Sequence, residues 1–323
     1  MSFFEDNASF PPDQEPSALS PTEKSPGEGQ PPAPTSAPPI EIPLAGDPIS
    51  FAARVPAASA SYAFKRALPE DLRIPWSWLH LVLFLFFGFF SLILIQGAFA
   101  VYYAPLHHFT NEKEFERFVL SKPAFAIGSM VLWYAFIFLF LYVTLSVLRG
   151  LPFWRTLGWR SITRADGGPP RSLWIYFLGG CMLSILVFGA TAKMQQPENV
   201  PIEELFRYKN TALLFMAMAV LVAPLVEETV FRGYLYPLLA KYFGVATSVI
   251  VTGVLFGLMH GAQLGWTWGL VSVLIIVGII FTFARARTGS VFASFLLHLG
   301  YNSMIAAVSI LGTQGFTKIP GTH

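Results

Sequence analysis

The residues best suited to chemistry lie in the last third of the chain. In the stretch LVAPLVEETVFRGYL, Glu227 and Glu228 stand side by side, with Arg232 four residues beyond the second. On a helix Glu228 and Arg232 share one face and form a local ion pair. Glu227 is rotated by about 100° from its neighbour, which leaves it the freer carboxylate and the better general base. Two further pairs repeat the one-turn spacing: Phe256 and His260 in VLFGLMH, and His298 and Asn302 in HLGYN. A carboxylate, two imidazoles and an amide are a set that can move protons and offer hydrogen bonds to a developing charge.

What must position these groups is a membrane bundle. Of 323 residues, 54% are hydrophobic and only 12% are charged, against roughly 25% charged in a soluble domain. The net charge of +2 leaves no basic excess for a run of phosphates, so nucleic acid is excluded as a partner. Beyond Pro75 the apolar runs reach the roughly 20 residues that a helix needs to cross a hydrocarbon core. Seven spans are predicted, over Trp76 to Tyr102, Phe125 to Leu148, Leu173 to Ala192, Ala212 to Leu239, Val245 to His260, Trp266 to Phe283 and Val291 to Leu311. The expected fold is therefore an all-α polytopic transmembrane bundle. Residues 70–323 form its domain, preceded by a tail over 1–69.

Residues 1–50 hold 12 of the 25 prolines, a composition too poor in apolar side chains to offset chain entropy, so the tail is expected to be disordered. It also lacks the basic and apolar regions of a cleaved leader.

An ionisable side chain inside an apolar span is costly unless paired or hydrated, so Glu227, Glu228, Arg232 and the motif histidines mark a candidate site. Counting at 1.5 Å per residue from the turn at Phe243 and Gly244 puts Glu227 and His260 both about 24 Å away; from Arg287, Asn302 and His298 lie about 22 and 16 Å along. Glu227 and His260 end at matching levels, and all four are expected to reach one pocket. Pro224, just upstream of the glutamates, is expected to bend its helix and admit water.

Three motifs in this order, Glu-Glu-x-x-x-Arg, Phe-x-x-x-His and His-x-x-x-Asn, resemble those of the CPBP family, the CAAX protease and bacteriocin-processing group also called Abi. The likeness covers about residues 205–311. It implies a glutamate-type intramembrane endopeptidase in which Glu227 and His260 activate a water while His298 and Asn302 donate to the oxyanion. Glu228 and Arg232 fall to structural support, Glu228 being the fallback base. Preorganised donors in a low-dielectric pocket stabilise such charge strongly, which agrees with that division of roles. The substrate implied is a membrane-associated peptide or protein, such as a lipidated C-terminal tail or a leader peptide. Family members also act in bacteriocin immunity, so a non-catalytic scaffold, an immunity protein or a transporter built on the same cluster is the alternative.

No cofactor is expected. Zinc on the two histidines and two glutamates is the chemical alternative, although no His-Glu-x-x-His is present. His107 and His108, near Glu112, read as a solvated loop, and Cys181, mid-span and alone, as inert. Trp76, Trp78, Trp266 and Trp268 read as interfacial anchors. Basic residues are denser on the side that holds Arg149, Arg155, Arg160, Arg232, Lys241, Arg285 and Arg287, which predicts a cytoplasmic N-terminus.

Overall fold

The computed structural model describes residues 69–103, 111, 114, 115, 118, 122–162, 172–194 and 209–315. The expected N-terminal tail before Pro69, and His107, His108 and Glu112, lie outside them. Among the described residues the fold is all helix. A 3-10 turn at Glu70–Leu72 leads into α1 (Trp78–Tyr103), followed by α2 (Pro123–Tyr142), the short α3 (Phe153–Thr156), α4 (Trp174–Thr191), α5 (Lys209–Phe243), α6 (Val245–Met259), α7 (Trp268–Thr288) and α8 (Val291–Gly312).

Six of these, α1, α2, α4, α5, α7 and α8, are long and apolar enough to cross a membrane. The fifth predicted span is shorter than required: α6 has 15 residues, about 22 Å, against a hydrocarbon core of about 30 Å. The protein is an integral membrane protein whose outer faces are lined by exposed Leu, Phe and Ile, as on α1 where Leu79, Phe86 and Leu94 are all more than half exposed.

Glycine sets how closely the helices approach. A Cβ at Gly180 of α4 would collide with the Leu297 carbonyl of α8, and one at Gly300 of α8 with the Phe177 carbonyl of α4. Gly253 and Gly257 admit the backbone of α7 to α6 in the same way, at Ile279 and Ile275. Backbones in contact leave little freedom of rotation, so α7 and α8 carry their polar residues at fixed angles to the rest of the bundle.

The longest helix, α5, does not break at its prolines. It widens into π-helix at Met218–Val222 and again at Thr229–Leu235. Each widened segment ends two residues before a proline, Pro224 or Pro237. Proline lacks an amide and its ring presses on the carbonyl four residues back; a π-turn relieves the clash and lets the helix continue. At Pro224, where the sequence predicts a disturbed helix, the helix is locally unwound.

Trp76 departs from the sequence reading. It is 1% exposed, stacks on Tyr234 at 5.2 Å and donates from Nε1 to the Tyr234 carbonyl at 3.1 Å, so it serves as core rather than as an interfacial anchor. Trp78, Trp266 and Trp268 are exposed as expected. Arg232 and Arg285, both assigned to the basic side of the charge count, are fully buried in ion pairs with Glu228 and Asp71. Neither charges a loop, so the count no longer supports an orientation as strongly as the sequence implied.

Candidate active site

Glu228 and Arg232 lie on the inner face of α5, both with no exposed side-chain surface. Arg232 donates from Nη1 to Glu228 Oε1 at 2.9 Å, from Nη2 to the Gly278 carbonyl at 2.9 Å and from Nε to Thr282 Oγ1 at 3.2 Å. Its guanidinium carbon stands 4.5 Å from the Phe256 ring centroid and 5.5 Å from that of Phe281. A planar cation so held by three acceptors and two rings is fixed in place.

Glu228 passes that rigidity on. Its Oε1 also meets His298 Nδ1 at 2.9 Å. A carboxylate paired with a guanidinium only accepts, so Nδ1 carries the proton and His298 turns Nε2 toward Glu227, at 3.9 Å from Oε2. His260 is held by a different device. At the tightened C-terminus of α6 the His260 amide bonds to the Gly257 carbonyl, and the His260 ring supplies the Phe256 carbonyl with a donor, Nδ1 to oxygen at 2.8 Å. The one-turn Phe-x-x-x-His spacing places that carbonyl under the ring. With Nδ1 protonated, the neutral ring bears its lone pair on Nε2, which also faces Glu227 Oε2 at 3.9 Å.

Glu227 thus sits between two imidazoles. Its side chain is 13% exposed while that of Glu228 is fully buried, which decides which carboxylate solvent can reach. Glu227 Oε2 is itself buried and has no hydrogen-bond partner in the protein, and Glu228 Oε2 likewise has none. Both separations of 3.9 Å are too long for a direct bond and suit a bridging water.

Asn302 completes the group from α8. Its Nδ2 donates to the Ala219 carbonyl at 2.7 Å. The Ala223 amide bonds to Met218, and the next amide that could reach Ala219 in a π-turn would be that of residue 224, which is proline. The proline therefore creates the acceptor that Asn302 fills. One Nδ2 hydrogen remains uncommitted.

Glu227, His260, His298 and Asn302, predicted from spacing to reach one pocket, all line one cavity of about 420 Å³. Glu228 and Arg232 lie behind it, the ion pair as expected. Its other walls are mostly apolar, including Phe215, Val273 and Leu274. Sequence reasoning missed Thr282 and Gly278, the acceptors that share Arg232; their i, i+4 spacing on one apolar helix was the only available signal. It also missed Tyr134 of α2, which lines the cavity from a helix without a recognisable motif. Cys181 donates to the Gly300 carbonyl at 3.4 Å and does not line this cavity.

No curated protein and no solved structure matches the chain. Residues 209–304, which carry all three motifs, match the family model described as Rce1-like type II CAAX prenyl endopeptidase, consistent with the CAAX protease family that the motifs resemble.

Proposed function

We propose that this protein is an intramembrane endopeptidase in which Glu227 and His260 activate a water against a peptide carbonyl. The observation that carries the reading is the placement of Glu227 Oε2 at 3.9 Å from the Nε2 atoms of both His260 and His298. A water there donates one hydrogen to Glu227 and the other to the lone pair on His260 Nε2. As its oxygen bonds to the carbonyl carbon, the proton passes to Glu227 and the carbonyl becomes an oxyanion.

His298, held through Nδ1 by Glu228, supplies Nε2 as the first donor to that oxyanion. The remaining Nδ2 hydrogen of Asn302 is the second donor. Collapse breaks the C–N bond, Glu227 returns its proton to the leaving nitrogen, the second water proton passes to His260 Nε2, and the products are a carboxylate and an amine. Fixed donors surrounded by low dielectric are worth about 2.7–4 kcal/mol each in comparable acyl-transfer sites.

The substrate on this reading is a peptide segment of a membrane-associated protein, a lipidated C-terminal tail or a leader peptide, with its apolar side chains against Phe215 and Leu274. The reading requires no metal. Purified full-length protein in detergent tests it with Glu227→Gln, which keeps the shape and removes the base: cleavage of a membrane-associated reporter peptide is expected to fall by more than about 100-fold with the thermal midpoint unchanged. Wild-type cleavage by that variant would overturn the assignment, and ion flux without any peptidase activity would favour the transporter reading.

A further inference from the structure

At the end of the bundle opposite His260, the 3-10 turn at Glu70–Leu72, the approach to α1, the short α3 and the end of α5 enclose a second cavity of about 630 Å³. It shares no residue with the Glu227 cavity. Arg73, Arg155, Arg160 and Lys241 line it, against the two acids Glu70 and Asp71.

The two acids do not neutralise Arg155, Arg160 or Lys241. Asp71 is committed to Arg285, at 2.7 Å from Nη1. Glu70 meets Arg160 at 3.5 Å with its own side chain 72% exposed, a geometry worth little in water. The Arg160 Nε is buried and has no hydrogen-bond partner. Arg155 and Lys241 are exposed and have no ion-pair partner among the described residues.

Depth gives the ligand its character. Trp78 packs on Tyr242 and Phe243 at 5.5 and 6.0 Å beside the cavity, and Trp154 of α3 is 48% exposed. Amphipathic rings at helix ends mark the level of lipid headgroups. Arginine forks match phosphate oxygens in pairs, and basic pockets between membrane helices hold anionic headgroups.

We propose that this cavity is a phosphate-binding site, whose ligand is the phosphate of an anionic lipid headgroup or a soluble phosphate reaching the same cations. Arg155 and Lys241 supply the exposed charge and Arg160 the unsatisfied inner donor. The site stands apart from the proposed hydrolysis and does not depend on it.

The test uses the full chain in nanodiscs of phosphatidylcholine, with or without phosphatidylglycerol, and reads retained lipid by native mass spectrometry and the thermal midpoint. Native protein is expected to retain phosphatidylglycerol over phosphatidylcholine. The double substitution Arg155→Gln/Lys241→Gln is expected to weaken that retention by about 30-fold, roughly fivefold for each cation, whereas Arg155→Lys leaves it within about twofold. Inorganic phosphate added to the phosphatidylcholine discs separates the two sources. A midpoint raised by phosphate alone, and lost in the double variant, assigns the site to a soluble anion; a rise only with phosphatidylglycerol assigns it to lipid. Equal retention of both lipids with no response to phosphate, or responses unchanged by the double substitution, would overturn the proposal. Since both variant side chains are exposed, the midpoint in plain phosphatidylcholine reports whether the fold is intact.

Discussion

The side-chain amide of Asn302 donates to the Ala219 carbonyl across 2.7 Å, tying the middle of α8 to the first widened turn of α5. The acceptor is open because Pro224 has no amide to offer it. This gives Asn302 a structural duty alongside the proposed one at the oxyanion, and stability and activity should separate the two. Asn302→Ala leaves a carbonyl without its donor and is expected to cost about 1–3 kcal/mol. In a Pro224→Ala background the new amide can take over, so the same substitution should cost less than half as much on a double-mutant cycle. Cleavage should stay low in both backgrounds. Equal stability costs in the two would show that Pro224 does not create the acceptor.

Arg232 holds the site together from behind. Arg232→Met removes the guanidinium that pairs with a fully buried Glu228, and breaking a buried pair from one side is expected to cost about 3–5 kcal/mol. The yield of monodisperse protein and its denaturation midpoint should fall sharply. Arg232→Met with Glu228→Gln removes both charges and should recover a large part of that loss. It should not recover cleavage, because His298 then loses the carboxylate that orients it. Were the double variant as unstable as the single one, the packing of the guanidinium between Phe256 and Phe281 would be its main contribution, rather than its charge.

The parts of the site legible in the sequence were those governed by helical spacing. Ion pairing of Glu228 with Arg232 follows from four residues on one helix, and the matching depth of Glu227 and His260, with His298 and Asn302 within reach of the same pocket, follows from 1.5 Å per residue. Long-range partners were not legible. Trp76 reaches Tyr234 across 158 positions and Arg285 reaches Asp71 across 214, so Trp76 read as an anchor and Arg285 as a loop cation. Widening of α5 was hidden for another reason: proline in a span signals a disturbed helix, but whether it kinks or expands depends on which neighbours satisfy the freed carbonyls. At Pro224 it is Asn302 that does so, from another helix.

The Asp71–Arg285 pair anchors the segment preceding α1 to the end of α7. Arg285 is fully buried and its Nη1 lies 2.7 Å from Asp71 Oδ2. Asp71→Ala should leave that cation without its partner and lower the midpoint by the equivalent of about 2–4 kcal/mol, toward the lower end because Asp71 is partly exposed. Glu70→Ala, next to it, should change the midpoint very little, since its contact with Arg160 is exposed and long and such pairs contribute about 0–1 kcal/mol. Comparing the two variants by thermal unfolding in one detergent checks the point. Similar shifts would mean that the turn, rather than the buried charge, sets the stability of this end.

The same distances bear on metal dependence. Both motif histidines present Nε2 to the cavity with Nδ1 held from behind, an arrangement that zinc sites also use. Two ligands on a tetrahedral zinc at about 2.05 Å stand about 3.3 Å apart, whereas Glu227 Oε2 lies 3.9 Å from each ring nitrogen. Among the described residues no three His, Cys, Asp or Glu side chains close on one point as ligands. The wider spacing suits a water hydrogen-bonded to all three groups. Cleavage by the purified protein is therefore expected to survive prolonged treatment with a strong chelator and to gain nothing from added zinc. Activity abolished by the chelator and restored by stoichiometric zinc would replace the proposed base with a metal-bound hydroxide, leaving Glu227 and the two histidines as its ligands.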